Sequence, residues 1–156
     1  MSLLSNLLPL SNVELDYIAD DKRRALERAA QLFEETHGIS ASRVLESLLA
    51  REKLGSTGLG KGVAIPHGRL RGLKCAAAAI LRLEHPIAFD SPDGRPVQLL
   101  VALMVPEQAT HEHLEILSEL AQMLSDPTMR EQMLTVAQPA ELLKRVASWE
   151  PIRPAA

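Results

Sequence analysis

Aromatic residues are scarce in this chain: it has one Trp, one Tyr and two Phe. Its core must therefore be aliphatic, and it has little from which to build a base-stacking platform for single-stranded nucleic acid. No basic run of the kind that neutralises phosphate backbones is present, and the formal net charge is -3. These two features argue against a nucleic-acid partner. Cys75 is the only cysteine, so no intrachain disulfide can form. Within the apolar run Cys75–Leu81 it reads as a buried, inert thiol. Met1–Leu10 lacks the basic start and sustained apolar stretch of a signal peptide. No run reaches the ~18 apolar residues of a membrane span. The expectation is a cytoplasmic protein in a reducing compartment, with no membrane insertion.

The chain has 156 residues, 46% of them apolar and 24% charged. That suits one domain with a real core. We expect the domain to span residues 1–150, with a loose C-terminal tail over 151–156. No internal repeat or low-complexity tract interrupts it. Val13–Ile18 has weak strand character. Asp21–His37 has helical spacing, with Leu26, Ala29, Ala30 and Phe33 on one face and Gly38 as the stop. Ser40 is placed to cap a second helix running to about Leu54, whose apolar face carries Val44, Leu45, Leu48 and Leu49. Val63–Ile65 is a short strand ended by Pro66. Lys74–Leu83 and Val97–Val105 read as strands buried on both faces, separated by a turn at Ser91–Pro96. Thr110–Ser125 is a helix with Leu114, Leu117, Ala121 and Leu124 turned inward. Asp126-Pro127 has the chemistry to start another helix, and Pro139–Trp149 is the last. Helices around buried strands imply an α/β domain with one sheet covered on both faces.

Four glycines lie between Gly55 and Gly62. Gly55-x-x-x-x-Gly60-Lys61 approaches a P-loop, but Gly62 stands where Ser or Thr is needed for magnesium. The loop also follows a helix and leads into a strand, the reverse of the P-loop context. The dinucleotide fingerprint fails as well, because Val63 stands where its third glycine is required. What is left is a flexible connector, or a place where another molecule comes close.

Ile65-Pro66-His67-Gly68 follows. Pro66 fixes its own φ and biases Ile65 toward extended backbone. His67 then emerges at a strand end, stiffly held, with Gly68 leaving one side open. Imidazole keeps an unprotonated nitrogen near neutral pH and can form covalent intermediates. Phosphoryl transfer asks mainly for positioning and charge stabilisation. The tetrapeptide is equally consistent with a loop histidine making a structural hydrogen bond. Arg51 points toward the apolar side of its helix, where it snorkels, complements the helix C-terminus or reaches an anion. His113, in the first turn of the Thr110 helix, is a core-edge residue, a local cap or a donor to a bound phosphate. His111 and His113 are two apart on a helix and do not chelate together, and no His-Glu-x-x-His pattern is present. No metal is expected. His37 and His85 read as solvated turn residues.

The run from Arg51 through Gly-Ser-Thr-Gly-Leu-Gly-Lys-Gly-Val-Ala-Ile-Pro-His-Gly68 closely resembles the active-site segment of phosphotransferase-system enzyme IIA proteins of the fructose/mannitol class. Its nitrogen-regulatory branch is the most similar. Glu112-His113-Leu114-Glu-Ile-Leu117 resembles the segment carrying that family's second active-site histidine, and the order of elements fits from about Leu3 to Trp149. The resemblance implies a five-stranded mixed sheet flanked by helices. It implies that His67 is phosphorylated, with His113, Arg51 and Gly68 around it. It also implies a small histidine-phosphorylated carrier protein as donor, charged from phosphoenolpyruvate by an enzyme I, and regulatory protein targets in nitrogen metabolism and potassium transport. No cofactor is needed, since the donor is already an activated phosphohistidine. A sugar-specific IIA component, a binding module without phosphorylation and a histidine metallohydrolase are the alternatives. Lys61 departs from relatives that carry an acidic or amide residue there. Beside His67 it would favour a bound phosphoryl group or change which carrier docks.

Overall fold

The computed structural model describes residues 2–108 and 110–151. The expected loose tail therefore lies, beyond Pro151, outside the described residues. Two short 3-10 turns, Leu4–Leu7 and Leu10–Asn12, lead into strand β1 (Val13–Tyr17). Helices α1 (Lys22–His37) and α2 (Ala41–Lys53) follow, then strands β2 (Gly58–Gly60), β3 (Val63–Ala64), β4 (His67–Leu70), β5 (Ala77–Ile87) and β6 (Val97–Pro106). Helices α3 (His111–Ser125), α4 (Pro127–Thr135) and α5 (Pro139–Ser148) complete the chain. Among the described residues no helix is long and apolar enough to cross a membrane.

The sheet order is β1-β5-β6-β3-β2, with β4 also paired to β6. Strands β5 and β6 are antiparallel, whereas β1 pairs parallel to β5 and both β3 and β4 pair parallel to β6. The sheet is mixed, as expected. Its strand count depends on β3 and β4. Val63 faces Leu99, and His67 faces Leu103 in the same register, so the two are one line of strand interrupted at Ile65-Pro66. Counted as one, they give the five expected strands.

The apolar runs in β5 and β6 alternate between two cores, as period-two geometry requires. Ala77, Ala79, Leu81, Leu100, Ala102 and Met104 face α1 and α2. Ala78, Ile80, Leu99, Val101, Leu103 and Val105 face α3, α4 and α5. The alanines on α1 (Ala25, Ala29, Ala30) and on β5 bring that helix close to the sheet, and Leu26 and Phe33 fill the remaining space.

Local chemistry accounts for most helix ends. Asp21 accepts from the Arg24 N–H at 2.9 Å to start α1, and Gly38 ends it at φ 69°. Ser40 occupies the N-cap position of α2 but makes no capping bond; the Glu34 carboxylate reaches over from α1 and accepts from the Ala41 N–H at 2.7 Å. The expected inner face of α3 holds at Leu124 and at Leu117, which packs against the core, but not at Leu114. Ile116, Leu120, Met123 and Leu124 are buried, while Leu114 is 59% exposed. Helix α3 carries two apolar stripes, and periodicity alone does not tell which one meets the sheet. Cys75 is exposed, because β5 starts only at Ala77 and the preceding residues belong to the connection from β4. Arg82, inside the apolar run, is buried with its guanidinium donating to the Met133 carbonyl at 3.1 Å near the end of α4.

Asp126 joins three elements. One oxygen accepts from the Thr128 and Met129 N–H groups at the start of α4, and the other accepts from the Trp149 indole at 3.1 Å. The indole bond first, then the helix amides, hold its carboxyl below the usual carboxylate range. A depressed folded-state pKa means the ionised form stabilises the fold. That contribution is present above the unfolded value of about 3.9 and is lost as pH falls through the lower folded value. Asp126→Ala should lower stability by about 1 kcal/mol at neutral pH. It should also remove an acid transition in the emission of Trp149, the sole tryptophan, which is read by fluorescence during acid titration and urea unfolding.

Candidate active site

His67 opens β4, and its backbone is set by what Pro66 cannot do. Pro66 has no N–H to give the ladder. Its carbonyl accepts from the Leu103 N–H at 3.0 Å, and the Ile65 N–H turns the other way, to the Thr57 carbonyl at 3.0 Å. His67 is therefore at a strand end, as expected, but at the start of β4 rather than past the end of β3. It is the first residue after a break in a strand that resumes in register, and it is half-buried. Its Nδ1 lies 2.8 Å from the Ile65 carbonyl. A carbonyl only accepts, so Nδ1 carries the hydrogen and, in the neutral ring, the free lone pair is on Nε2.

Gly68 is buried, and its role differs from the expected one. A Cβ there would meet Ser47 Oγ at 2.2 Å and Met104 Cε at 3.3 Å. The missing side chain admits α2 rather than a visitor, and the Ser47 hydroxyl seals the contact by donating to the Arg69 carbonyl at 2.9 Å. That close approach puts the last turn of α2 beside His67.

Arg51 lies on that turn. Its Nη1 donates to the Gly55 carbonyl at 2.8 Å just past the helix end. The residue thus complements the helix C-terminus and, at the same time, lines the cleft that holds His67. His113 closes the cleft from α3. Its Nδ1 accepts from the Thr110 N–H at 3.1 Å, so the local-cap alternative is realised and the neutral ring carries its hydrogen on Nε2. The two histidines thus sit in one cleft as opposite tautomers: His67 offers a lone pair on Nε2, and His113 offers a donor. His111 pairs instead with Glu115 at 3.0 Å, so the His111-Glu112-His113 triplet does not converge.

The cleft encloses about 530 Å³. Besides the residues named, Ala50, Leu54, Val105, Leu114 and Leu117 line it. Leu54, 84% exposed, and Leu114 give it an apolar rim. Arg69 also lines it and was not singled out from the sequence. Two residues apart in a strand, Arg69 and His67 share a face. The signal was present but required recognising a strand after Pro66.

Lys61 is elsewhere. It sits at the hairpin between β2 and β3 with φ 59°, between Gly60 at 87° and Gly62 at 84°. Its N–H is held by Asp93 at 2.8 Å, and it lines a separate cleft with Leu59 and Arg130. The expectation that it acts beside His67 is thereby corrected. The glycines serve this hairpin: a Cβ on Gly58 would meet Ser91 Oγ at 2.3 Å.

Residues 6–149 match the model of the family described as "Phosphoenolpyruvate-dependent sugar phosphotransferase system, EIIA 2". The chain belongs to this family. Within it, the chain is 47% identical over 126 residues to a nitrogen regulatory protein of Pseudomonas aeruginosa, covering 80% of this chain and 81% of the relative. It is 41% identical over 130 residues to the nitrogen regulatory protein of Escherichia coli, covering 83% and 80%. The solved nitrogen regulatory protein IIA-Ntr of Neisseria meningitidis superposes with a TM-score of 0.88 at 49% identity, covering 93% of this chain and 99% of that one. The Escherichia coli mannitol IIA structure, at 22% identity, covers 88% of this chain and 97% of that one with a TM-score of 0.74, and shares the fold. Membership places the chain among phosphotransferase components.

The packing at Gly68 is testable. Gly68→Ala should cost about 1–3 kcal/mol in urea unfolding, the usual range for overpacking. Ser47→Ala in the same chain should recover part of that loss, since it removes the nearest clashing atom.

Proposed function

We propose that this chain accepts a phosphoryl group on Nε2 of His67 from a small histidine-phosphorylated carrier protein and regulates other proteins according to its phosphorylation state. The observation that carries the reading is the pair of opposite tautomers in one cleft. The Nε2 lone pair of His67 attacks phosphorus, the P–N bond to the donor breaks, and the donor imidazole takes back the bonding pair. His67 keeps its Nδ1 hydrogen throughout. As its ring gains positive charge, the bond to the Ile65 carbonyl strengthens. The His113 Nε2–H and the Arg51 guanidinium supply donors to the phosphoryl oxygens. Gly68 lets α2 pack close enough for Arg51 to line the same cleft as His67. The donor's phosphoryl group is already activated, so the step requires no diffusible cofactor.

The carrier is a protein, and an open cleft with Leu54 and Leu114 on its rim suits a protein visitor. The family match over residues 6–149 supports one functional domain over about 1–150. Relatives named as nitrogen regulatory proteins favour a regulatory output. The proposed targets lie in nitrogen metabolism and potassium transport, and the proposed location is the cytoplasm. A second reading is a sugar IIA component that passes phosphoryl to a IIB partner. The chain is 32% identical over 137 residues to a fructose-specific EIIA component of Haloferax volcanii, covering 84% of this chain and 86% of that one.

Incubation with phosphoenolpyruvate, enzyme I and the small carrier, followed by intact-mass measurement, tests the reading. One acid-labile phosphoryl group should appear and be absent from His67→Ala. Arg51→Ala should slow uptake by about a hundredfold, the scale of losing one transition-state donor, while the domain stays folded and still melts cooperatively. Undiminished uptake by His67→Ala would contradict the assignment.

A further inference from the structure

Glu52 lies behind the cleft rather than in it. Its side chain is 5% exposed and 2.6 Å from Lys22 Nζ at the start of α1. Its oxygens also accept from the Thr57 N–H, at 3.2 and 3.3 Å, and from the Thr57 hydroxyl. A buried carboxylate is costly unless donors surround it. Here a cation and two hydrogen-bond donors, drawn from α1 and from the loop after α2, meet that need. The loop Gly55–Thr57 is thereby tied to the last turn of α2. The Ser56 hydroxyl, donating to the Phe89 carbonyl at 2.7 Å, and Lys22 Nζ, donating to the same carbonyl at 3.3 Å, tie it down from behind.

Two of the chemically important side chains of the cleft, Arg51 and His67, hang from this loop. Arg51 donates to the Gly55 carbonyl at 2.8 Å. On the other side the Thr57 carbonyl accepts from the Ile65 N–H at 3.0 Å, and the Ile65 carbonyl accepts from His67 Nδ1–H at 2.8 Å. The path from Glu52 to the His67 ring thus consists of three successive hydrogen-bonded contacts, with Thr57 and Ile65 as its only intermediates.

We propose that Glu52 is a positioning residue that sets the Arg51 guanidinium and the His67 ring together, through Thr57 and the Gly55–Thr57 loop. The proposal rests on the reading of His67 as the phosphoryl acceptor. Glu52 touches no reacting atom. A glutamine would not replace it, because it keeps one acceptor oxygen and no charge, whereas both carboxylate oxygens are used by the Lys22 ammonium and the Thr57 N–H and hydroxyl. Loosening the loop would misplace two groups at once, and small misplacements of reacting groups cost up to a hundredfold in rate.

The experiment compares the wild-type chain with Glu52→Gln, Thr57→Val and Thr57→Ser. It uses two readouts: the rate of phosphoryl uptake from the charged carrier, and the His67 ring tautomer in the unphosphorylated chain by 15N NMR. We expect the wild type to hold the Nδ1–H tautomer. Glu52→Gln and Thr57→Val should slow uptake by about ten- to a hundredfold and raise the Nε2–H population of His67, whereas Thr57→Ser, which keeps the hydroxyl, should restore both. A residue that only stabilised the fold would lower the melting temperature without moving the tautomer in the folded chain. If Glu52→Gln does not fold, the two Thr57 variants decide. Folded Glu52→Gln or Thr57→Val with wild-type rate and tautomer overturns the proposal. If the wild type takes up no phosphoryl group, the acceptor reading falls and the tautomer measurement still decides whether Glu52 orients His67.

Discussion

The hydrogen bond from His67 Nδ1 to the carbonyl of Ile65, two residues back along the same chain, is the contact on which the site depends. It fixes the ring orientation and the tautomer in one stroke, and it leaves Nε2 as the only nitrogen with an available lone pair. In the proposed chemistry it does more than orient. The ring becomes cationic when it carries phosphorus, and the carbonyl oxygen is already in place to meet that charge. His113 is held by the same kind of contact with the sign reversed. Its Nδ1 accepts from a backbone N–H at the start of α3, which leaves the hydrogen on Nε2 of a ring that lines the cleft. Backbone groups thus assign opposite tasks to two identical side chains.

That contact lies at the break at Ile65-Pro66. Pro66 turns its carbonyl to β6, so the backbone groups of Ile65, one residue earlier, point away from that strand. Pro66 lacks an N–H, Ile65 turns toward Thr57, and the strand resumes at His67 without a change of register along β6. The surrounding β5–β6 pair is buried on both faces and gives this irregular stretch a rigid bed. Gly68 then allows α2 to close in, and the C-terminal turn of α2 delivers Arg51. The cleft is assembled from one strand break, one missing side chain and two helix ends.

The layered α/β architecture was legible because the long apolar runs in β5 and β6 and the helical spacing of α1 are strong, local patterns. Asp126-Pro127 declared the start of α4 for the same reason. The active-site segment was legible through its resemblance to the enzyme IIA family. What sequence reasoning missed was decided by tertiary contact. Leu114 and Ile116 are both apolar on α3, and only docking on the sheet shows which is buried. Cys75 adjoins an apolar run yet precedes the strand. Ser40 has capping chemistry, but Glu34, near in space and seven residues before Ala41, takes the bond. Gly68 signalled closeness correctly but not to what, and Lys61 lies near His67 in sequence while the hairpin carries it elsewhere. Arg69 was hidden because Pro66 reads as the end of a strand rather than a pause in one.

The position of phosphorus on the imidazole tests this account most directly. Phosphorylating a chain labelled with 15N at histidine and measuring 31P–15N couplings should show phosphorus bonded to Nε2 of His67, with Nδ1 still protonated. Phosphorus on Nδ1 would mean that the Ile65 contact is broken before or during transfer. The tautomer argument, and with it the central role given to that carbonyl, would then be wrong.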